Sequence, residues 1–184
     1  MDRKKILILA FALTIVAQFY VPVSMIAESE DILEGRPYKF RTAPIDPNDP
    51  FRGKYITLSF KENFCIVADK KEWLPDEEVY GILAERYGFA YIQSLEKEKP
   101  NIENYLHLKV RFQDDFDSLN KVYFDLPFDK YYMEETKALA AEQIYRERQL
   151  DTVRTTYAIV YIKDGKGRLT DVKIGDSSIR DMVK

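Results

Sequence analysis

Ile6 to Ala27 is a run of 22 residues without a charged side chain, and it limits what the rest of the chain can be. Coiled as a helix it spans roughly 33 Å, enough to cross a hydrocarbon layer about 30 Å thick. Arg3, Lys4 and Lys5 precede it. The basic flank is the one that stays in the cytoplasm, so everything after the run is predicted to face outward. Tyr20 near the outer end suits the interface, and Gln18, the only amide in the run, is either simply tolerated there or bonds a partner helix. A cleaved signal peptide is the competing reading. Cleavage after Ala27 would put Met25 at the −3 position, where a small residue is preferred, and cleavage after Ser24 would put Pro22 there. The run is also long for that purpose. The expectation is therefore an uncleaved anchor, residues 1–27, that contacts the lipid bilayer through residues 6–27.

Beyond residue 27 the chain carries 25 basic and 30 acidic residues, a net of −5. A mildly acidic body argues against nucleic acid as a partner and against a basic patch gripping anionic lipid. Charged residues at 32% and aromatics at 14% describe a chain that folds. Its length suits one domain beside the anchor. Cys65 is the single cysteine, so an intrachain disulfide is impossible, and it reads as a small buried apolar residue. With His107 the only histidine, no zinc site of the usual nitrogen and sulfur type can form. No metal and no cofactor are predicted.

Glu28 to Gly35 is charged and is predicted to carry the helix out of the membrane before stopping at Gly35. Residues 36–184 then read as a β-rich domain. Tyr38, Phe40 and Thr42 alternate with Lys39 and Arg41; Ile56, Leu58 and Phe60 alternate with Tyr55, Thr57 and Ser59. Both are period-two strands. Further strands are predicted at 78–83, with Val79, Gly81 and Leu83 on one side, at 89–95 and at 122–126. The cleanest is 105–112, with Leu106, Leu108, Val110 and Phe112 on one face and Tyr105, His107, Lys109 and Arg111 on the other. Segments 155–162 and 169–174 flank Lys163-Asp164-Gly165-Lys166-Gly167, a strong hairpin signal. One helix is predicted, 134–149, with Met133, Ala140 and Ile144 as its apolar stripe and Leu139 beside it. The fold class is α+β: a transmembrane helix, then about eight mainly antiparallel strands, with a barrel as one way to arrange them, and one packed helix.

Between the first two strands lies the most unusual local pattern, Arg41 to Phe60. Pro44, Pro47 and Pro50 exclude a helix, Asp46, Asn48 and Asp49 favour turns, and Gly53 supplies backbone freedom. At Gly53-Lys54-Tyr55-Ile56-Thr57-Leu58-Ser59-Phe60 the chain resembles the GDYXXLXY family of bacterial membrane-anchored proteins. Gly53, Tyr55 and Leu58 match its motif, while Lys54 stands where the family has Asp and Phe60 where it has Tyr. Thr42 to Pro47 and Asp49 to Arg52 are similar to the family's lead-in. The resemblance implies a membrane anchor and an exported domain, and brings no established activity and no catalytic residues. Asp46, Pro47, Asp49, Arg52, Gly53, Tyr55, Leu58 and Phe60 are accordingly the candidate recognition residues. Rigid loops carry binding well because their ordering is already done; the plain alternative is that they only close a strand pair.

Candidates for chemistry are thinner. His107 as a general base needs a nucleophile and an orienting acid, and the sequence supplies neither. Asp46 and Asp49 could offer oxygens to Ca²⁺, but their spacing is that of turn formers. Ser59 with Lys54 or Lys61 is the local candidate for a Ser–Lys hydrolase, which requires a desolvated lysine. Glu134, Glu135, Glu142 and Glu147 lie beside Lys137, Arg146 and Arg148, which describes a solvated, charge-paired face. The reading that remains is a non-catalytic accessory module. It is anchored in the bacterial inner membrane, has an extracytoplasmic (periplasmic) domain, and works with another envelope or integral membrane protein. A tethered serine hydrolase and a periplasmic small-ligand binder are the alternatives.

Overall fold

The computed structural model describes residues 3–43, 55–67, 72–114, 120–134, 137, 140–141, 143–145 and 155–183. The first element, α1 (Arg3–Ile32), is 30 residues long. Its apolar side chains stand open on every side, Leu7, Phe11 and Phe19 each at least two-thirds exposed. A helix that is long and apolar all round fits a membrane anchor. Within the span, the Thr14 hydroxyl donates to the Ala10 carbonyl at 2.9 Å and that of Ser24 to Val21 at 2.8 Å, which satisfies both hydroxyls without water. Pro22 sits inside the helix. The helix outruns the apolar run and then closes in turns, Gly35 N donating to Ile32 O at 3.0 Å. Gly35 is required there by packing, because a Cβ would lie 2.2 Å from the Ile162 carbonyl oxygen.

Twelve strands follow among the described residues: β1 (Arg36–Ala43), β2 (Tyr55–Thr57), β3 (Ser59–Phe60), β4 (Phe64–Ile66), β5 (Glu78–Arg86), β6 (Phe89–Glu96), β7 (Tyr105–Asp114), β8 (Lys121–Asp125), β9 (Lys130–Tyr132), β10 (Thr156–Lys163), β11 (Lys166–Ile174) and β12 (Ser177–Ser178). They form two open five-stranded sheets, ordered β12-β11-β10-β1-β3 and β4-β8-β7-β5-β6, and a two-stranded ribbon, β2-β9. Every ladder is antiparallel. The α+β class holds, with two corrections. The strands number more than eight, since β4, β9 and β12 are two or three residues long and too short to show a period. Nor, among the described residues, do they close into a barrel: no ladder joins one five-stranded sheet to the other.

The run from Tyr55 to Phe60 is split at Leu58, whose N–H donates to Asp129 O at 2.7 Å. Its first half pairs with β9, while Phe60 and Ser59 pair with Thr42 and Ala43 of β1. Ile56, Leu58 and Phe60 nevertheless all point into the core, as their alternation predicts. Phe40, Phe60 and Phe128 form its aromatic centre, with centroids 5.1 to 6.2 Å apart. Side chains from both large sheets share this one cluster.

Three further expectations shift. Phe112 is exposed because the β7–β8 register slips between Val110 and Phe112, and a bulge turns the following side chains over. Tyr105 is buried, although alternation puts it on the polar face, because the β10–β11 turn covers it. The helix is helical at Lys137, Ala140, Ala141 and 143–145. It buries Ala141 and Tyr145 completely and leaves Ala140 exposed, while Met133 and Ile144 of the expected stripe pack partly buried against the same core. Leu139, Glu135, Glu142, Glu147, Arg146 and Arg148 lie outside the described residues.

Candidate functional site

The chain leaves α1 without a linker, and the junction is bound to the β10–β11 hairpin. Lys163 donates to Asp31 and, at 3.1 Å, to Glu34; Lys166 pairs with Glu28. The Arg168 guanidinium donates to the Ser29 carbonyl at 2.6 Å. The carboxylates of Asp31 and Glu34 hold the Lys163 ammonium above its ordinary pKa, and Glu28 does the same for Lys166. The hairpin presents these cations in register because its turn residues, Asp164 and Gly165, have φ of 51° and 78°. This is the two-residue geometry that keeps Lys163 opposite Lys166. A cleft of about 900 Å³ opens beside the junction, between Glu34, Arg36, Glu103, Lys163 and Asp164.

The candidate recognition residues divide by burial. Asp46, Pro47, Asp49, Arg52 and Gly53 lie outside the described residues, as does Lys54. Leu58 and Phe60 are core residues, 3% and 5% exposed. Their role is to hold the stem of the stretch in the sheet. Tyr55 faces outward: its ring lies 5.5 Å from that of Tyr132, which is 63% exposed, and Lys130 caps it at 5.4 Å. Of the described motif positions, Tyr55 is therefore the one a partner can touch.

The stem of that stretch leads directly into a second cleft of about 390 Å³, lined among others by Arg41, Lys61, Glu62, Cys65, Arg86, Phe89 and Tyr91. It lies where β4 and β6, the two edges of one sheet, face the end of β1. Arg41 Nε donates to Glu62 Oε1 at 2.7 Å, and Glu62 is almost fully buried while Arg41 is not. Burial raises the Glu62 pKa above its ordinary value, only partly offset by Arg41. Glu62 Oε2 is buried and has no hydrogen-bond partner among the described residues. Cys65 on the same wall is 2% exposed, and burial pushes its thiol up to about 11, which makes it a poor nucleophile. Sequence reasoning missed Glu62 and Arg86, because nothing in a linear pattern distinguishes these charges from surface ones.

The remaining candidates that the structure describes are not brought together. Ser59 lines a cleft with Arg111 and Asp125, whereas Lys61 lines the Glu62 cleft. His107 is 45% exposed, stacked on Tyr80 at 5.2 Å and 3.6 Å from the Glu78 carboxylate. Among the described residues no three His, Cys, Asp or Glu side chains converge on a point where a metal could sit.

A protein-family model described as GDYXXLXY protein matches residues 18–172. No curated protein and no solved structure matches the chain.

Proposed function

The chain belongs to the GDYXXLXY protein family, and from that premise we propose that it is a membrane-anchored, non-catalytic interaction module. Its β-rich domain stands in the periplasm, tethered to the bacterial inner membrane, and engages another envelope or integral membrane protein. The observation that carries this reading is the junction between α1 and the β10–β11 hairpin. An enzyme or carrier acting on diffusing molecules gains little from a fixed attitude to the bilayer. A module that must meet a second membrane protein gains directly, because a rigid tether removes rotational freedom before binding. The Tyr55–Tyr132 pair adds an exposed aromatic contact next to the proline-rich stretch, and aromatic residues are enriched where proteins meet.

The test is photo-crosslinking in intact cells, with a crosslinking amino acid at Tyr132 and, as a control, at the exposed turn residue Tyr87. A discrete adduct from position 132 to one envelope or membrane protein, absent from position 87, is the expected result. Adducts to the chain itself alone would overturn the reading. So would a mature protein whose mass places its first residue near position 28.

A further inference from the structure

We propose that the cleft between β4, β6 and the end of β1 binds a small soluble organic anion, a carboxylate or a phosphate monoester with an apolar body. Its volume of about 390 Å³ lies in the range of small-molecule sites. Arg41, Lys61 and Arg86 bring three cations to it, on a domain whose net charge beyond the anchor is −5. The one carboxylate present does not neutralise them. Glu62 has one oxygen taken by Arg41 and the other buried, and burial disfavours its charged form. Lys61 and Arg86 form no ion pair among the described residues.

Both guanidinium groups lie over aromatic rings of the cleft wall. Arg41 lies 5.5 Å from the Phe89 ring centre and Arg86 5.3 Å from that of Tyr91. The Phe89 ring is itself propped edge-on against Tyr157 at 5.7 Å. Among the described residues Arg41 spends only its Nε, on Glu62, which leaves its terminal nitrogens for a ligand. A guanidinium oriented in this way matches the two oxygens of a carboxylate or phosphate, and the rings beside it supply an apolar floor. A lipid headgroup is the disfavoured source. Five residues of extended strand, roughly 17 Å, separate Arg41 from Arg36, where the chain leaves the helix. The inference is independent of the partner reading, since it uses no residue of the junction or of the Tyr55–Tyr132 surface.

The test is titration calorimetry on the full chain in detergent micelles with benzoate, phenyl phosphate, inorganic phosphate and benzylammonium. Benzoate or phenyl phosphate should bind saturably, and Arg86→Gln and Lys61→Gln should each weaken that binding about tenfold. Both side chains are exposed, so both variants should melt with the parent protein; if one does not, the other carries the comparison. Whichever of the two ligands binds more tightly identifies the anion class. The proposal fails if neither saturates by millimolar concentration, if benzylammonium binds as tightly, or if both variants leave the affinity unchanged. Inorganic phosphate binding as tightly as phenyl phosphate would overturn the apolar body.

Discussion

The ring of Tyr105 occupies the space a side chain on Gly165 would need: an ideal Cβ there lies 2.5 Å from the ring. The two residues join the sheets. His107 N donates to Gly165 O at 2.8 Å, and Leu106 bridges to Gly165. The hairpin that grips α1 is thus itself seated on β7, which links the root of the helix to the second sheet.

Gly165→Ala should therefore destabilise the domain by about 2–4 kcal/mol, combining the left-handed backbone at φ 78° with the clash against Tyr105. Trp73 is the only tryptophan and is buried, so its fluorescence reports unfolding. A denaturation midpoint equal to the parent's would show that the turn yields and that the seating on β7 is loose. Gly88→Ala is the control: it shares the positive φ but meets nothing within 4 Å, and should cost less.

Lys163→Ala with Lys166→Ala should scarcely alter stability, because these ion pairs are largely exposed and such pairs contribute about 0–1 kcal/mol each. What they set is geometry. Spin labels on α1 and on the domain should give a narrow distance distribution in the parent and a broader one in the double variant. An unchanged distribution would mean that Arg168 and the Gly35 packing hold the junction without the lysines.

Glu62 makes a pH prediction with a definite sign. Its pKa is raised in the fold, so between its unfolded and folded values the native state holds more protons and stability falls as pH rises. Its contribution is most favourable below the ordinary carboxyl value of 4.5 and is lost as pH climbs through the folded value. Glu62→Gln does not titrate. The melting temperature of the variant relative to the parent should thus rise between pH 4 and pH 8. A gap that moves the other way would show that Arg41 outweighs burial.

How much could be read in advance follows the range of each interaction. The hairpin at Asp164-Gly165 was legible because a two-residue turn is decided by its own φ angles. Tyr38 and Phe40, like Ile56 and Leu58, were legible as core because alternation is a local property of a pleated strand. Phe112 was misplaced because a bulge depends on the neighbouring strand, and Tyr105 because its cover comes from sixty residues away. Among the candidate recognition residues, alternation separates Tyr55 from Leu58 and Phe60 without saying which face is buried. Glu62 was not identified at all, since its burial needs β1, β4 and β6 in place.

By itself the sequence determined that an apolar helix comes first, that alternating strands follow, and where the tight turns fall. These depend on neighbours a few residues apart and on the energetic cost of charge in lipid. Only the tertiary structure decided that the sheets stay open, that the hairpin grips the helix root, and that three cations line one cleft with a buried carboxylate. Each of these joins side chains far apart in the chain, and no local propensity encodes which distant surfaces will meet.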